Sequence, residues 1–181
     1  MSSYVSMESG FSDDVVELLW PLYDEGFKDI NLHSPCRQSF NYGEFVAALK
    51  DPRVYRAVLR DDESNEMLAV AVWSNNFDHF PWLSAEYFKA RYPEEFEAGR
   101  LYYTVATLSL NKRSGHMTKI MLEMTRRIAA ERGRMLFDLC EELVNINWQV
   151  VIFETASSVV DEPLELENLG VQQYFSVGFK S

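Results

Sequence analysis

A strand, a polar turn and a helix follow one another between Leu101 and Arg132, and the turn carries residues that could bind an anion. This turn, Asn111 to Gly115, contains Lys112, Arg113 and a single glycine. A helix that opens directly after such a turn presents free backbone N–H groups and the positive end of its dipole. The pattern therefore favours binding of a phosphate or pyrophosphate. A solvated connection without a ligand is the alternative.

The other reactive residue types lack the spacing that metal binding or nucleophilic catalysis needs. His33, His79 and His116 are far apart, and so are Cys36 and Cys140. No paired histidine or cysteine motif typical of zinc is present. The motifs of nucleophile elbows, dinucleotide folds and Walker loops are also missing. We therefore expect no metal, and a buried structural thiol at Cys140.

Length and composition are typical of one globular domain. The chain has 181 residues, of which 47% are hydrophobic and 25% charged. Its 28 acidic and 17 basic residues give a net charge of −11, which disfavours nucleic acid and membrane surfaces as partners. Two cysteines, no signal peptide and no apolar run of membrane-spanning length predict a cytoplasmic, acidic protein.

The N-terminal part of the sequence predicts an edge strand and two helices. The strand covers Tyr4 to Met7, and a helix with apolar residues at helical spacing follows it. Pro21 lies inside that helix and is expected to kink or end it near the preceding residue. A second helix is expected to begin at Asn41, because Glu44 three residues later completes a capping-box pattern. It should stop before Pro52.

The middle of the sequence predicts three strands and a long aromatic insertion. Val54 to Leu59 and Met67 to Trp73 flank a polar turn and predict a hairpin. Leu101 to Leu110 is a third, longer strand. The insertion, residues 76–99, contains a short helix that Ser84 should cap. Its aromatic residues either pack internally or form a lid over a substrate or a subunit interface.

The C-terminal part predicts more helices and one more strand. Met117 to Met124 form an apolar stripe, which we expect in the core, and Gly133 should end that helix. Met135 to Trp148 has helical spacing, and Val150 to Glu154 is typical of a strand. Leu164 to Phe175 predicts a final helix. The whole chain, residues 1–181, is thus expected to be a single mixed α/β domain around one sheet.

The element order and two short motifs resemble the GNAT superfamily of acyl-coenzyme-A-dependent N-acetyltransferases. The segment Tyr174 to Phe179 matches the ending Tyr-x-x-x-Gly-Phe. The turn matches the family pattern Q/R-x-x-G-x-G/A in part, with Lys112 in the first place, Gly115 at the first glycine and Met117 at the second small residue. The resemblance implies a GNAT-like acyltransferase fold with an aromatic-rich helical insertion at residues 76–99. The sequence ends at Ser181, before the two further strands that family members usually have.

The resemblance also implies an acetyl-CoA site between the fourth and fifth strands, which splay apart in the family. Backbone groups near Thr107, Leu108 and Ser109 would pair with the pantetheine arm, and the turn amides would face the pyrophosphate. Tyr174 would protonate the departing thiolate, a role that suits a phenol. The cofactor-binding candidates in and around the turn are Lys112, Arg113, Ser114, Gly115, His116 and Met117.

Two departures from the family pattern affect this site. Met117 places a long side chain where a small residue usually lets the ligand approach. Either that side chain turns back into the core, or the pyrophosphate site is damaged. No acidic residue lies in the strand from 101 to 110, where a base often sits. Glu154, or a water held by Tyr102 or Tyr103, is a substitute.

Two functions are therefore left open. The first is an N-acyltransferase that moves an acetyl group from acetyl-CoA to a small-molecule or peptide amine. The second is a catalytically inactive protein of the same fold that binds a protein partner through its acidic, aromatic-bearing surface. A homodimer, in which a neighbouring subunit completes the sheet, is compatible with either.

Overall fold

A mixed sheet of five strands organises the protein, and its strands are neighbours in the order of the chain. The computed structural model describes residues 2–33, 37, 39–111, 115–139 and 141–170. The first four strands pair antiparallel, and the fifth is parallel to the fourth. The expected mixed α/β class is therefore confirmed. The strands are β1 (Ser3–Met7), β2 (Tyr55–Asp61), β3 (Met67–Ser74), β4 (Leu101–Ser109) and β5 (Arg134–Leu136).

Seven helices and one 3₁₀ turn (Phe77–His79) connect the strands in the described part of the chain. None of these helices is both long and apolar enough to cross a membrane. The helices are α1 (Asp13–His33), α2 (Tyr42–Lys50), α3 (Ala85–Arg91), α4 (Pro93–Glu97), α5 (His116–Ala130), α6 (Glu141–Asn145) and α7 (Trp148–Ser157).

Local sequence signals determine the N-terminal elements, with one exception. The Asn41 side chain accepts from the Glu44 amide, and the Glu44 carboxylate accepts from the Asn41 amide, so the predicted capping box of α2 is confirmed. The edge strand β1 and the β2–β3 hairpin are also confirmed. The expectation that α1 ends near Pro21 is wrong, because the helix continues to His33. Leu19 and Tyr23 are buried on either side of the proline, and their packing offsets a cost of about 3 kcal/mol.

The predictions for residues 135–154 are wrong. The segment 135–148 is not one helix, since β5 covers its start and α6 is confined to residues 141–145. Residues 150–154 are not a strand but part of α7. Their β-branched side chains favour a strand locally, whereas α7 packs against α5, and tertiary packing decides between the two. The described residues 164–170 of the predicted final helix are not helical, and the rest of that segment lies outside the described residues.

The two faces of the sheet bury two separate clusters. Helices α1 and α2 and the insertion cover one face, and α5 covers the other with Ile120, Met124 and Ile128. The aromatic side chains of the insertion mainly fill the first cluster, so internal packing is their principal role. Those that are fully buried there are Phe77, Phe80, Phe88 and Tyr92.

Helix α5 ends in a way that brings its C-terminal loop close to β4. Arg132 adopts a left-handed conformation (φ 52°), and the Gly133 amide donates to the carbonyl of Ile128 at 2.9 Å. This is a Schellman motif with arginine in the place where glycine is usual. Gly133 is therefore not the left-handed residue that ends the helix. The position suits a glycine because the ring of Tyr102 packs directly against its Cα and leaves no room for a Cβ.

Candidate functional site

Strands β4 and β5 separate after three residue pairs. The last pair is Tyr103 with Leu136, although β4 continues for six more residues to Ser109. The Thr104 hydroxyl donates to the Leu136 carbonyl at 3.2 Å, and beyond it no described strand pairs with this edge of β4. The outer edge of β4 is free beyond this point because β5 ends at Leu136. The fifth strand expected from the sequence, Val150 to Glu154, is part of α7 instead.

A β-bulge lies in β4 immediately after this separation. Val72 of β3 pairs with Ala106, whereas the next residue, Trp73, pairs with Thr104, so Val105 is an extra residue in β4. A bulge leaves its extra residue out of the ladder and bends the strand. The backbone of β4 is thus redirected where its outer edge becomes free. The sequence of β4 contains no glycine that would mark the bulge, and sequence analysis missed it.

Thr107, Leu108 and Ser109 form the end of β4, as predicted. They pair with β3 on one side only. Alternate residues of a strand direct their backbone N–H and C=O groups to opposite neighbours, so this segment also presents polar groups at its free edge. Ser109 donates its hydroxyl to the Asn111 carbonyl at 2.5 Å and so shapes the start of the following turn.

Helix α5 begins without a side-chain cap. Its N-cap is Gly115, at φ 100°, and the first backbone bond runs from the Lys119 amide to the Gly115 carbonyl at 2.9 Å. The amides of the preceding first turn have no acceptor within the helix. Apart from its chain neighbours, no described residue has an atom within 4 Å of the place that a Gly115 Cβ would occupy, so the described residues leave this side of the helix end open. Three predicted residues of the turn, Lys112, Arg113 and Ser114, lie outside the described residues.

In the first turn of α5 one side chain lies differently from the expectation, and two polar side-chain atoms lie in or next to this turn. The Met117 side chain is 38% exposed and does not turn back into the core, so the predicted core stripe begins only after it. Nδ1 of half-buried His116 and Oδ1 of Asn111 are shielded from solvent and make no hydrogen bond with the part of the chain that the structure describes. Buried polar atoms without partners are rare, and a polar ligand at this turn would satisfy them.

A hydrogen-bond chain of three side chains lies on the other side of the strand separation. Trp82 Nε1 donates to the Tyr103 hydroxyl at 3.2 Å, and that hydroxyl donates to Oδ1 of Asp138 at 2.5 Å. Burial raises the pKa of the Tyr103 phenol far above its usual value. Asp138 is exposed as a residue, but burial of its carboxyl group raises the pKa of that group. Sequence analysis missed Asp138 because it placed this residue in a helix.

Of the predicted substitutes for the missing base, Tyr103 lies where the pairing of β4 with β5 ends, and Glu154 and Tyr102 lie elsewhere. Glu154 is exposed on α7. The Tyr102 hydroxyl donates to Glu131 on the opposite face of the sheet, and the Tyr103 hydroxyl donates to a carboxylate rather than to a water. The predicted acid Tyr174 lies outside the described residues, as do Cys36 and Cys140.

Two further observations bear on where a ligand could bind. A cavity of about 300 Å³ lies at the C-terminal end of α5, where Trp73 and Tyr102 contribute to its wall. It is at the opposite end of the helix from the open turn and shares no residue with it. In the described ranges, no three acidic, histidine or cysteine side chains are grouped closely enough to hold a metal.

No family model and no curated protein matches this sequence. Among solved structures, the chain is similar to aminoglycoside acetyltransferase meta-AAC0020 from an uncultured soil metagenomic sample, with 7% identity, a TM-score of 0.47, and 94% of this chain and 97% of that chain covered. Aminoglycoside acetyltransferase HMB0005 from a similar sample has 15% identity and a TM-score of 0.46, with 94% and 100% covered. A ribosomal-protein-alanine N-acetyltransferase from Brucella melitensis biovar Abortus 2308 has 8% identity and a TM-score of 0.46, with 93% and 100% covered. With TM-scores below 0.5, these likenesses carry no argument about the present chain.

Proposed function

We propose that the protein is an acyl-CoA-dependent N-acyltransferase that moves an acetyl group from acetyl-CoA to an amine. One observation carries this proposal: the free, bulged edge of β4 is followed in the chain by the uncapped N-terminus of α5. An unpaired strand edge suits the amide groups of an extended pantetheine arm. An open helix N-terminus suits a pyrophosphate. Acetyl-CoA carries these two features in one molecule.

We assign two parts of this cofactor to named groups of the chain. Backbone groups of Thr107, Leu108 and Ser109 would hold the pantetheine arm. The amides from Gly115 to Met117, with the side chains of Lys112 and Arg113, would bind the pyrophosphate. The exposed Met117 thioether lies beside these amides, and the open surroundings of Gly115 leave the approach from that side free.

The transfer itself depends on holding two reactants together. Bound acetyl-CoA supplies a thioester, and the free amine of the acceptor attacks its carbonyl carbon. The new C–N bond forms as the C–S bond breaks. The nitrogen passes one proton to solvent water, and the sulfur gains one from Tyr174, which then recovers a proton from solvent. A backbone N–H of β4 near the bulge would stabilise the negative charge that develops on the carbonyl oxygen.

The structure does not favour the alternative of a non-catalytic binding protein. That interpretation rested on the degraded turn, the missing base and the acidic surface as well as on the aromatic insertion. The insertion does not form an exposed aromatic surface, because Phe77, Phe80, Phe88 and Tyr92 are buried. Tyr87 is the exposed aromatic ring of the segment, at 43%. We therefore propose no second function.

Calorimetric titration with acetyl-CoA, followed by a thiol-release assay with a panel of amines, tests the proposal. We expect binding and an amine-dependent release of free thiol. The variant Tyr174→Phe should retain acetyl-CoA affinity and lose most of the rate. Tyr4→Phe, an exposed tyrosine on the edge strand, is the matched control and should behave as wild type. Absence of acetyl-CoA binding at millimolar concentrations would overturn the proposal.

A further inference from the structure

The chain from Trp82 through Tyr103 to Asp138 has a fixed direction. The indole N–H of Trp82 can only donate, so the Tyr103 oxygen accepts from it and the Tyr103 hydroxyl proton is directed to Asp138. A carboxylate that accepts such a bond is held in one orientation in its ionised form. The carboxylate also accepts a hydrogen bond from its own backbone amide, which orients it further.

Asp138 lies where a substrate could reach both the strand separation and solvent. It follows β5 by two residues, and its partner Tyr103 is the last residue of β4 that pairs with β5. The extra residue of the bulge, Val105, is two positions further along β4. Asp138 is exposed, whereas Tyr103 is only 4% exposed. Asp138 therefore lies at the surface next to the end of β5, and the Tyr103 phenol that supports it is buried.

The charges around this position leave the negative charge of Asp138 without a described counterion. Arg37 is the cation beside Trp82, with its guanidinium 5.9 Å from the centre of the ring, but it forms an ion pair with Glu44. Asp138 takes part in no ion pair among residues 2–33, 37, 39–111, 115–139 and 141–170. Among the described acidic residues whose pKa is shifted, Asp138 is the one with a raised pKa, because burial disfavours its charged form.

The Trp82 ring adds an aromatic surface next to this charge. It packs edge-on against Phe40, with ring centres 5.2 Å apart, and lies 6.5 Å from the Tyr103 ring. It is half-buried, so part of the indole is available to solvent. Aromatic faces attract organic cations, and the nearby guanidinium of Arg37 shows that this ring already accommodates one.

From this arrangement we propose that Asp138, held by Tyr103 and flanked by Trp82, is the recognition group for the protonated amine of the acceptor. The acceptor class is therefore a primary ammonium carried on an apolar or aromatic group. This inference rests on the proposed function for its place in catalysis, but the binding event does not require the cofactor. Asp138 selects the acceptor as an ammonium ion, which must pass one proton to solvent before the free amine can attack, and the backbone of β4 and α5 holds the donor.

Benzylamine and aniline provide a matched pair of probes. They have similar size and shape, but at neutral pH benzylamine is a cation and aniline is uncharged. Ligand-observed NMR with benzylamine, in the absence of cofactor, measures recognition alone. We expect the variant Asp138→Asn to weaken benzylamine binding by about tenfold or more, since hydrogen bonds to charged groups are among the strong ones. Asp62→Asn, the same change in the exposed β2–β3 turn, should bind benzylamine as wild type does.

The transfer assay then separates recognition from a structural role. With benzylamine as acceptor, Asp138→Asn should raise KM by a similar factor, while its KM for aniline and its affinity for acetyl-CoA stay unchanged. An equal rise in KM for both amines, no rise for either amine, or no binding of benzylamine to the wild type would overturn the inference. If the wild type binds benzylamine through Asp138 but does not bind acetyl-CoA, the proposed transferase function fails and the recognition site stands.

Discussion

His79 links the end of α2 to the end of β3, because its Nε2 lies 2.9 Å from Oδ2 of Asp51 and its Nδ1 lies 3.3 Å from the Ser74 hydroxyl. Serine, histidine and aspartate in this order resemble the triad of hydrolases. Ser74, however, has no exposed surface, and no substrate can reach its oxygen. The arrangement is therefore a structural connection between the helix, the insertion and the sheet.

This connection predicts a pH-dependent contribution to stability. Hydrogen bonds from Arg53, and then from His79, hold the pKa of Asp51 well below its usual value. A carboxyl group whose pKa is lowered by folding stabilises the protein above its unfolded pKa, about 4, and loses that contribution as the pH falls further. Asp51→Asn should therefore lower the free energy of unfolding by about 1 kcal/mol at pH 7.

Urea denaturation of wild type and Asp51→Asn, measured from pH 7 down to acidic pH, checks this prediction. The difference between the two proteins should shrink once the pH falls below about 4. Asp62→Asn should show no such difference, because its carboxyl is exposed in a turn. A difference that stays constant over the whole pH range would contradict the assigned role of the charge.

Gly133 predicts a steric cost. A Cβ at this position would lie 2.6 Å from Cε2 of Tyr102 and 3.1 Å from the carbonyl oxygen of Arg100. Tyr102 is only 2% exposed and cannot move aside. Gly133→Ala should destabilise the protein by about 2 kcal/mol. Gly26→Ala is the control, since no atom lies within 4 Å of that Cβ in α1, and it should stabilise by about 0.5–1 kcal/mol. Equal thermal shifts for both variants would refute the packing explanation.

Gly115 allows the anion site to be tested by charge alone. Aspartate and asparagine have nearly the same shape and meet the same backbone strain at φ 100°. Gly115→Asp should bind acetyl-CoA at least about tenfold more weakly than Gly115→Asn, because its carboxylate repels the pyrophosphate. Calorimetry at low salt measures the two affinities. Equal affinities would show that the pyrophosphate binds elsewhere.

The cap of α2 gives a prediction that is independent of function. Asn41→Ala removes the acceptor of the Glu44 amide and should lower the free energy of unfolding by about 1 kcal/mol. Asn41→Ser keeps a capping oxygen and should lower the free energy of unfolding by only about a few tenths of a kcal/mol. Chemical denaturation of both variants provides the measurement. A serine variant as unstable as the alanine variant would mean that the cap contributes little.

Elements with strong local signals were predictable from the sequence, and elements decided by packing were not. Asn41 and Glu44 mark the start of α2 through their own side chains. By contrast, Leu136 and Leu143 share a helical spacing, although one lies in β5 and the other in α6. A three-residue strand such as β5 is too short to show any periodicity. Its pairing with β4 depends on residues more than thirty positions away.

The candidate site was predictable only where it depends on the order of elements. The turn before α5 and the end of β4 follow from the strand-turn-helix pattern, and Gly115 marks the start of the helix. Asp138 and the bulge at Val105 depend on how β4 meets β5 and β3, which no local pattern encodes. The position of Met117 also depended on the rotation of α5 about its axis, and one residue decides between core and surface.

The three residue pairs that join β5 to β4 are the shortest connection in the sheet. The four antiparallel strands are covered by both core clusters, so they form a rigid platform. Local opening begins where the fewest hydrogen bonds must break. Local opening of the sheet therefore starts with the three pairs of β5, and it frees more of the outer edge of β4 while the four antiparallel strands keep their shape.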